Sequence, residues 1–230
     1  MNYTDKNVVV TGGTGALGAA VVDGLLKAGA TCTVPYVHDA EMAHFAHKDD
    51  AKVSLIKVAD LSDESDVAKL FQGIAPWASI HIAGGFSAAA IGDTDKAALM
   101  AQLDSNLVSC FLCCRAAVLA MAGKGGRIVN VAARPALEPR LGAGMTAYTI
   151  AKSGVAALTI ALAEEVAKQG ILVNAVAPSI MDTPANRAAM PKADFDKWPK
   201  VEDVAATILF LASPGNTVTR GAIVPVYGKS

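Results

Sequence analysis

The sequence predicts an α/β protein in which one parallel sheet of about seven strands carries helices on both faces. Three observations lead there. Short apolar runs alternate with longer amphipathic stretches along the whole chain, the signature of βαβ units. The runs are nearly continuously apolar, as strands covered on both faces require. No linker, repeat or low-complexity tract breaks the pattern, so residues 1–230 read as one domain.

Taken in order, a three-valine run marks the first strand at Asn7–Thr11, followed by a helix over Ala16–Ala28. The next strands are expected at Thr31–Pro35 and Val53–Val58, with a helix at Asp63–Gln72, and a fourth strand at Ser79–Ala83. A long helix over Asp95–Ala122 contains NLVSCFLCCRAAVLAMAG, the most apolar long stretch of the chain. Arg115 in its middle makes it a buried amphipathic helix rather than a membrane span. Strands at Arg127–Val131, Leu172–Ala175 and Ile223–Val226 and helices at Thr146–Lys168 and Glu202–Ala212 complete the pattern. Alanine-rich helices allow close packing on a sheet. Two irregular stretches, Ala132–Met145 and Pro178–Pro199, follow strands and should border the site, because ligands of open α/β sheets sit at the strands' carboxyl ends.

Composition narrows the function classes. At 53% hydrophobic and 18% charged residues the chain is not disordered, and its formal charge of −1 argues against a nucleic-acid binder that relies on a basic surface. Asp5 and Lys6 precede a valine run too short for a signal-peptide core, so a cytoplasmic protein with reduced cysteines is expected. Cys110 and Cys113 read as packing residues of a buried helix. His38, His44 and His47 beside Asp49 and Asp50 match no metal-ligand spacing and read as a solvated helix face, so no metal is expected.

Thr11-Gly12-Gly13-Thr14-Gly15-Ala16-Leu17-Gly18 follows the first strand and opens the first helix. Glycines permit the tight turn and leave room for a pyrophosphate against backbone N–H groups at a helix N-terminus. This is the dinucleotide turn of a Rossmann-type, doubly wound sheet. No GxxxxGK[ST] loop is present. A carboxylate for the adenosine ribose is expected about 20 residues on, at the end of the second strand. Tyr36 stands there. Its neutrality removes repulsion of a 2′-phosphate, yet no Arg or Lys occurs between Lys27 and Lys48 to attract one, and His38 helps only when protonated. The cofactor therefore reads as NADP or NAD, tilted toward NADP. Asp60, with Leu61 beside it, follows the third strand and can accept from the adenine amino group or belong to a helix cap.

Tyr148-Thr149-Ile150-Ala151-Lys152 opens the helix that starts near Thr146. Residues four apart share a helix face, so phenol and ammonium can meet over one ligand. A neighbouring cation favours phenolate and brings proton exchange within reach of neutral pH.

With these motifs the chain resembles the short-chain dehydrogenase/reductase family over nearly its full length. The resemblance rests on TGGTGALG, Ala83-Gly84-Gly85 after the fourth strand, Asn106 in a long helix, YTIAK, and Asn174-Ala175-Val176-Ala177-Pro178 followed by Thr183. It implies that Tyr148 supplies the proton, that Lys152 holds the nicotinamide ribose while lowering the tyrosine's pKa, and that Asn106 anchors a water in a proton relay. Pro178, Ser179, Ile180 and Thr183 would line the nicotinamide. The family's usual serine near the end of the fifth strand is Ala133 here, next to Arg134, and its loss should slow an ordinary ketone reductase unless Thr146 or Ser179 substitutes. The resemblance also implies a homodimer or homotetramer through Asp104–Ala122 and Thr146–Lys168.

Within the family the chain is similar to the dihydropteridine reductase-like branch. It shares GGTGALG, an aromatic (Phe86) after Ala83-Gly84-Gly85, the alanine-bearing fifth strand, and the run Asp182–Phe195 with Trp198. That enzyme carries a tryptophan where Phe86 stands and an acid where Tyr36 stands. A quinonoid pterin accepts hydride at an electron-poor ring and needs no carbonyl-gripping serine, and Phe86 would stack on it. Pro178–Pro199 reads as a candidate lid, with Asp182 or Thr183 capping a short helix that Pro191 ends. The expected function is NAD(P)H-dependent hydride transfer to a small planar acceptor, a quinonoid dihydropteridine foremost. The alternatives are a ketone or alcohol substrate and a non-catalytic redox sensor.

Overall fold

Each short apolar run forms a strand, and the seven strands join one parallel sheet in the computed structural model, which describes residues 1–230. In chain order the elements are β1 (Asn7–Thr11), α1 (Ala16–Lys27), β2 (Thr31–Tyr36), β3 (Val53–Lys57), α2 (Glu64–Phe71), β4 (Ala78–His81), α3 (Lys96–Leu103) and α4 (Ser109–Ala120). They continue with β5 (Gly126–Val131), α5 (Arg134–Leu137), α6 (Thr146–Glu165), β6 (Ile171–Pro178), α7 (Pro184–Ala189), α8 (Val201–Ala212) and β7 (Ile223–Val226).

The strand order is β3-β2-β1-β4-β5-β6-β7. The chain winds outward from β1 to β3, then returns to place β4 on the other side of β1. Winding therefore reverses between β1 and β4, where a crevice opens beyond the strands' carboxyl ends. The register sets Thr11 beside His81, which brings the glycine turn against Ile82–Gly84.

Strand alternation divides the core into two layers. Val8 and Val10 pack with Val21, Val22 and Leu25 of α1 and Val204, Ile208 and Leu211 of α8. Val9 points the other way, to Val67 and Leu70 of α2, Cys113 and Ala117 of α4, and Val155 and Ala163 of α6. Each large aliphatic side chain buried this way contributes about 1.5–3 kcal/mol. Lys96–Ala120 and Thr146–Glu165 are long and apolar enough to cross a membrane by composition alone. Here Cys110, Cys113, Val155 and Ala163 from these stretches pack against the sheet.

The structure corrects several sequence boundaries. The helix expected over Asp95–Ala122 divides into α3 and α4 around a π-helical turn, Asp104–Val108. There the Asn106 amide nitrogen donates to the Gln102 carbonyl one turn back (3.1 Å), a side chain standing in where the helix ladder is disturbed. β4 stops at His81 because Ile82–Gly84 leave the sheet to wall the crevice. β6 runs on to Pro178, since β7 pairs with it as far as Pro178 opposite Val226. His38–Asp50 is no helix face: a single 3₁₀ turn at Asp39–Ala43 gives way to irregular turns, with His47 3.7 Å from Asp23.

Candidate active site

The crevice between β1 and β4 is a cleft of about 320 Å³ whose floor is the glycine turn. Gly12 has φ +67°, and a Cβ there would lie 2.7 Å from the Ala83 nitrogen. A Cβ on Gly18 would overlap the Gly12 carbonyl oxygen. Side chains at these places would fill the cradle, so the fit to a closely approaching pyrophosphate is steric. Gly15 caps α1 without a side-chain hydrogen bond, and Thr14, Gly15, Ala16, Leu17 and Gly18 line the cleft. The unbonded N–H groups of the first turn suit an anion.

At one end of the cleft stand Tyr36, Val37, Val58, Leu61 and a residue the sequence reading missed, Glu41. The 3₁₀ turn after β2 folds Glu41 back over the strand's end. Its Oε1 accepts from the N–H groups of Val37 (3.0 Å) and His38 (2.8 Å), and its Oε2 accepts from the Thr14 hydroxyl. These donors hold the Glu41 carboxyl below its usual range against the opposing effect of burial. The signal was an acid anywhere before the third strand, not only at the end of the second. Asp60 lies outside the cleft lining: it is exposed and turns its carboxylate onto Ser62. The cap of α2 is Asp63, which accepts from the Ser65 and Asp66 N–H groups.

At the other end the reactive side chains gather. The Tyr148 ring meets Phe86 edge to face at 5.0 Å, and Phe86 stays 65% exposed, leaving a flat apolar wall open. Lys152 is buried and donates to the Val131 carbonyl at the end of β5 (2.8 Å). Asn106, held by donation from Nδ2 to the Gly85 carbonyl (2.9 Å), converges with Lys152 over Gly84. A Cβ on Gly84 would lie 2.5 Å from Asn106 Oδ1 and 3.5 Å from Lys152 Nζ. Asn106 Oδ1 is a buried acceptor without a partner, which a bound donor would satisfy.

One electrostatic expectation is corrected. Burial pushes the Tyr148 phenol up to about 12 and the Lys152 ammonium down to about 8. Lys152 Nζ stands 6.0 Å from the centre of the Tyr148 ring and is engaged by Val131, so it does not lower the phenol's pKa in this arrangement. A neutral phenol at neutral pH is a proton donor.

The family model for short chain dehydrogenase matches residues 6–194. The chain belongs to the short-chain dehydrogenase/reductase family. It is 32% identical over 251 residues to galactitol 2-dehydrogenase of Rhizobium johnstonii, covering 98% of this chain and 97% of that protein. It is likewise 32% identical over 242 residues to cis-4-hydroxycyclohexanecarboxylate dehydrogenase of Sinomonas cyclohexanicum, covering 98% and 96%. A blue fluorescent protein from a metagenomic library, solved in complex with NADPH, superposes with a TM-score of 0.88 at 26% identity, covering all of both chains. The short-chain dehydrogenase is thus an NAD(P)-dependent oxidoreductase, against the redox-sensor alternative. The two dehydrogenases are named for alcohols, and nothing in these matches singles out the dihydropteridine reductase-like branch.

On the remaining wall of this short-chain dehydrogenase, Ala133 is buried at the end of β5 and offers no hydroxyl. Ser179 does not replace it, because its Oγ donates to the Tyr227 carbonyl (2.9 Å) and accepts from Ser230 (2.8 Å). Arg134 pairs with Glu138 (3.1 Å) and lies over the ring of Tyr227 at 4.6 Å, a neighbour no sequence motif indicated. Pro178 ends β6, and Ser179 and Ile180 lead from it into Thr183, which is the cap of α7: its Oγ1 accepts from the Asn186 N–H, so its own proton remains free to donate. Asp182 instead pairs with Arg187.

Below the site runs a buried polar seam that the sequence did not announce. His81 lies 2.9 Å from Asn130 Oδ1 and 2.8 Å from Ser79 Oγ, and Asn130 donates to Thr159 (2.9 Å). An amide oxygen only accepts, so His81 Nδ1 carries the proton. Cys110 and Cys114 reach within 4.8 Å of His81, but both ring nitrogens are already engaged. All four cysteines are buried free thiols, in keeping with packing.

Proposed function

We propose that this oxidoreductase moves hydride between a nicotinamide and a small, flat, ring-containing acceptor lodged against Phe86. The observation that carries the reading is the pairing of an open Phe86 face, beside Tyr148, with a buried Ala133 where a carbonyl-gripping hydroxyl would stand. The bound dinucleotide supplies the hydride. Tyr148 gives the proton to the reduced acceptor and is neutral until then. Lys152 and Asn106 hold the nicotinamide ribose and the water that returns a proton to Tyr148. Gly12 to Gly18, with Ala83, Gly84 and Gly85, seat the pyrophosphate. Pro178, Ser179, Ile180 and Thr183 border the nicotinamide, and α7 closes over it to exclude water. Ala133 and Arg134 shape the acceptor's pocket.

A quinonoid dihydropteridine is the first acceptor to test, because a conjugated ring needs no oxyanion donor. A second reading, an alcohol or ketone, is favoured by the substrates named for the two similar dehydrogenases, an open-chain polyol and a hydroxycyclohexane acid. NAD(P)H oxidation with quinonoid dihydropterin and with a panel of open-chain and cyclic ketones separates them. Ala133→Ser should raise ketone reduction and leave pterin reduction unchanged; ketone turnover by the parent enzyme alone would retire the planar-acceptor reading. Exposed Phe111, Leu119, Ile150 and Ile160 on α4 and α6 support pairing of two copies through these helices within a cytoplasmic homodimer or homotetramer, one domain per chain. A monomer by light scattering would contradict that assembly.

A further inference from the structure

We propose that Glu41 clasps the adenosine ribose and makes this enzyme prefer NAD(H) to NADP(H). The inference rests on reading the cleft as a dinucleotide site. Tyr36, at the end of β2, leaves the ribose without the carboxylate that such a strand end supplies to an NAD ribose. The 3₁₀ turn Asp39–Ala43 restores one from a different place in the chain. Thr14 belongs to the glycine turn on the floor, while Val37 and His38 follow the end of β2, so the Glu41 carboxylate is held at the cleft's edge beside the turn that seats the pyrophosphate.

Capping of the 3₁₀ turn accounts for only half of this geometry. Oε1 serves the Val37 and His38 N–H groups, as a cap does. Oε2 is turned to a hydroxyl of the glycine turn, a bond that a cap does not need. A ribose hydroxyl is the same kind of donor as the Thr14 hydroxyl, and a carboxylate oxygen accepts from both at once. The charge acts against the alternative cofactor. At the adenosine end, where Tyr36, Val37, Glu41, Val58 and Leu61 line the cleft, there is no arginine or lysine. Lys57, the cation near this edge, is held by both carboxylate oxygens of Asp39 at 2.8 and 2.7 Å. A 2′-phosphate would meet an anion and find no free cation to pair with. Glu41 supplies at the adenosine end the acid that the end of β2 lacks.

Titration calorimetry of the purified full-length enzyme with NADH and with NADPH tests this. NADH should bind at least about tenfold more tightly, the scale of one hydrogen bond to a charged group. Glu41→Gln should erase that ratio by weakening NADH and sparing or strengthening NADPH. A purely structural role for Glu41 would weaken both dinucleotides together and leave the ratio unchanged, which overturns the proposal. Equal binding, or tighter NADPH, in the parent enzyme overturns it without any variant and leaves the cleft assignment standing. Binding of neither overturns both.

Discussion

The two ends of the cleft are built on opposite principles. At the reactive end Lys152 and Asn106 are buried beneath the open Phe86 wall, and burial is the main cause that moves the tyrosine and lysine in opposite directions, to about 12 and about 8. The adenosine end is half open, and its character comes from one carboxylate held ionised by three donors. Desolvation prepares groups for proton transfer, whereas a fixed charge sorts ligands. One enzyme needs both, and the glycine turn lies between them, its Thr14 hydroxyl serving only the adenosine end.

The largest expected effect falls at the reactive end. Tyr148→Phe removes the proposed proton donor and should lower turnover about 10²–10⁴-fold while leaving dinucleotide affinity intact, read by steady-state rates beside calorimetry. Retained turnover would mean that the proton comes from elsewhere. Gly12→Ala should do the reverse. It forces a Cβ into a left-handed backbone 2.7 Å from Ala83, a strain of about 1–3 kcal/mol, and should weaken both dinucleotides about tenfold or more. A loss confined to one dinucleotide would show that the turn does not seat the shared pyrophosphate.

The smallest effect is a pH dependence. Reduction should weaken as pH rises through about 8, where Lys152 loses its charge. Because its folded pKa is depressed, the native state holds fewer protons there than the unfolded chain. Stability should therefore rise between about pH 8 and the ordinary lysine value of 10.5. Lys152→Met should flatten this rise in urea titrations across that window; an unchanged slope would assign it to another group.

The reactive end was more legible than the adenosine end, and the reason is locality. Tyr148 and Lys152 are neighbours on one helix, and the glycine turn is eight consecutive residues, so spacing alone reveals both. Asn106 was recognisable as a residue but not as a π-helical turn, because such a turn depends on partners such as the Gly85 carbonyl that lie outside its own segment. Glu41 reaches the site by folding back over the end of β2, and Tyr227 meets Arg134 from just past β7, over ninety residues away in sequence, so nothing in a short window records either contact. Asp60 shows the converse: both readings its position offered were local, and in the fold its carboxylate accepts from the Ser62 N–H and hydroxyl while Asp63 caps α2.

In the proposed arrangement Tyr148 and Lys152 address the reactive ring of a dinucleotide whose other end lies by Glu41. A crystal structure with bound NADH tests it most directly. The nicotinamide should lie within hydrogen-bond or van der Waals reach of the Tyr148 hydroxyl, its ribose on Lys152 Nζ, and the adenosine ribose on the Glu41 carboxylate. A nicotinamide lying away from Tyr148, or a dinucleotide in the apolar groove between α2 and α4, would contradict it.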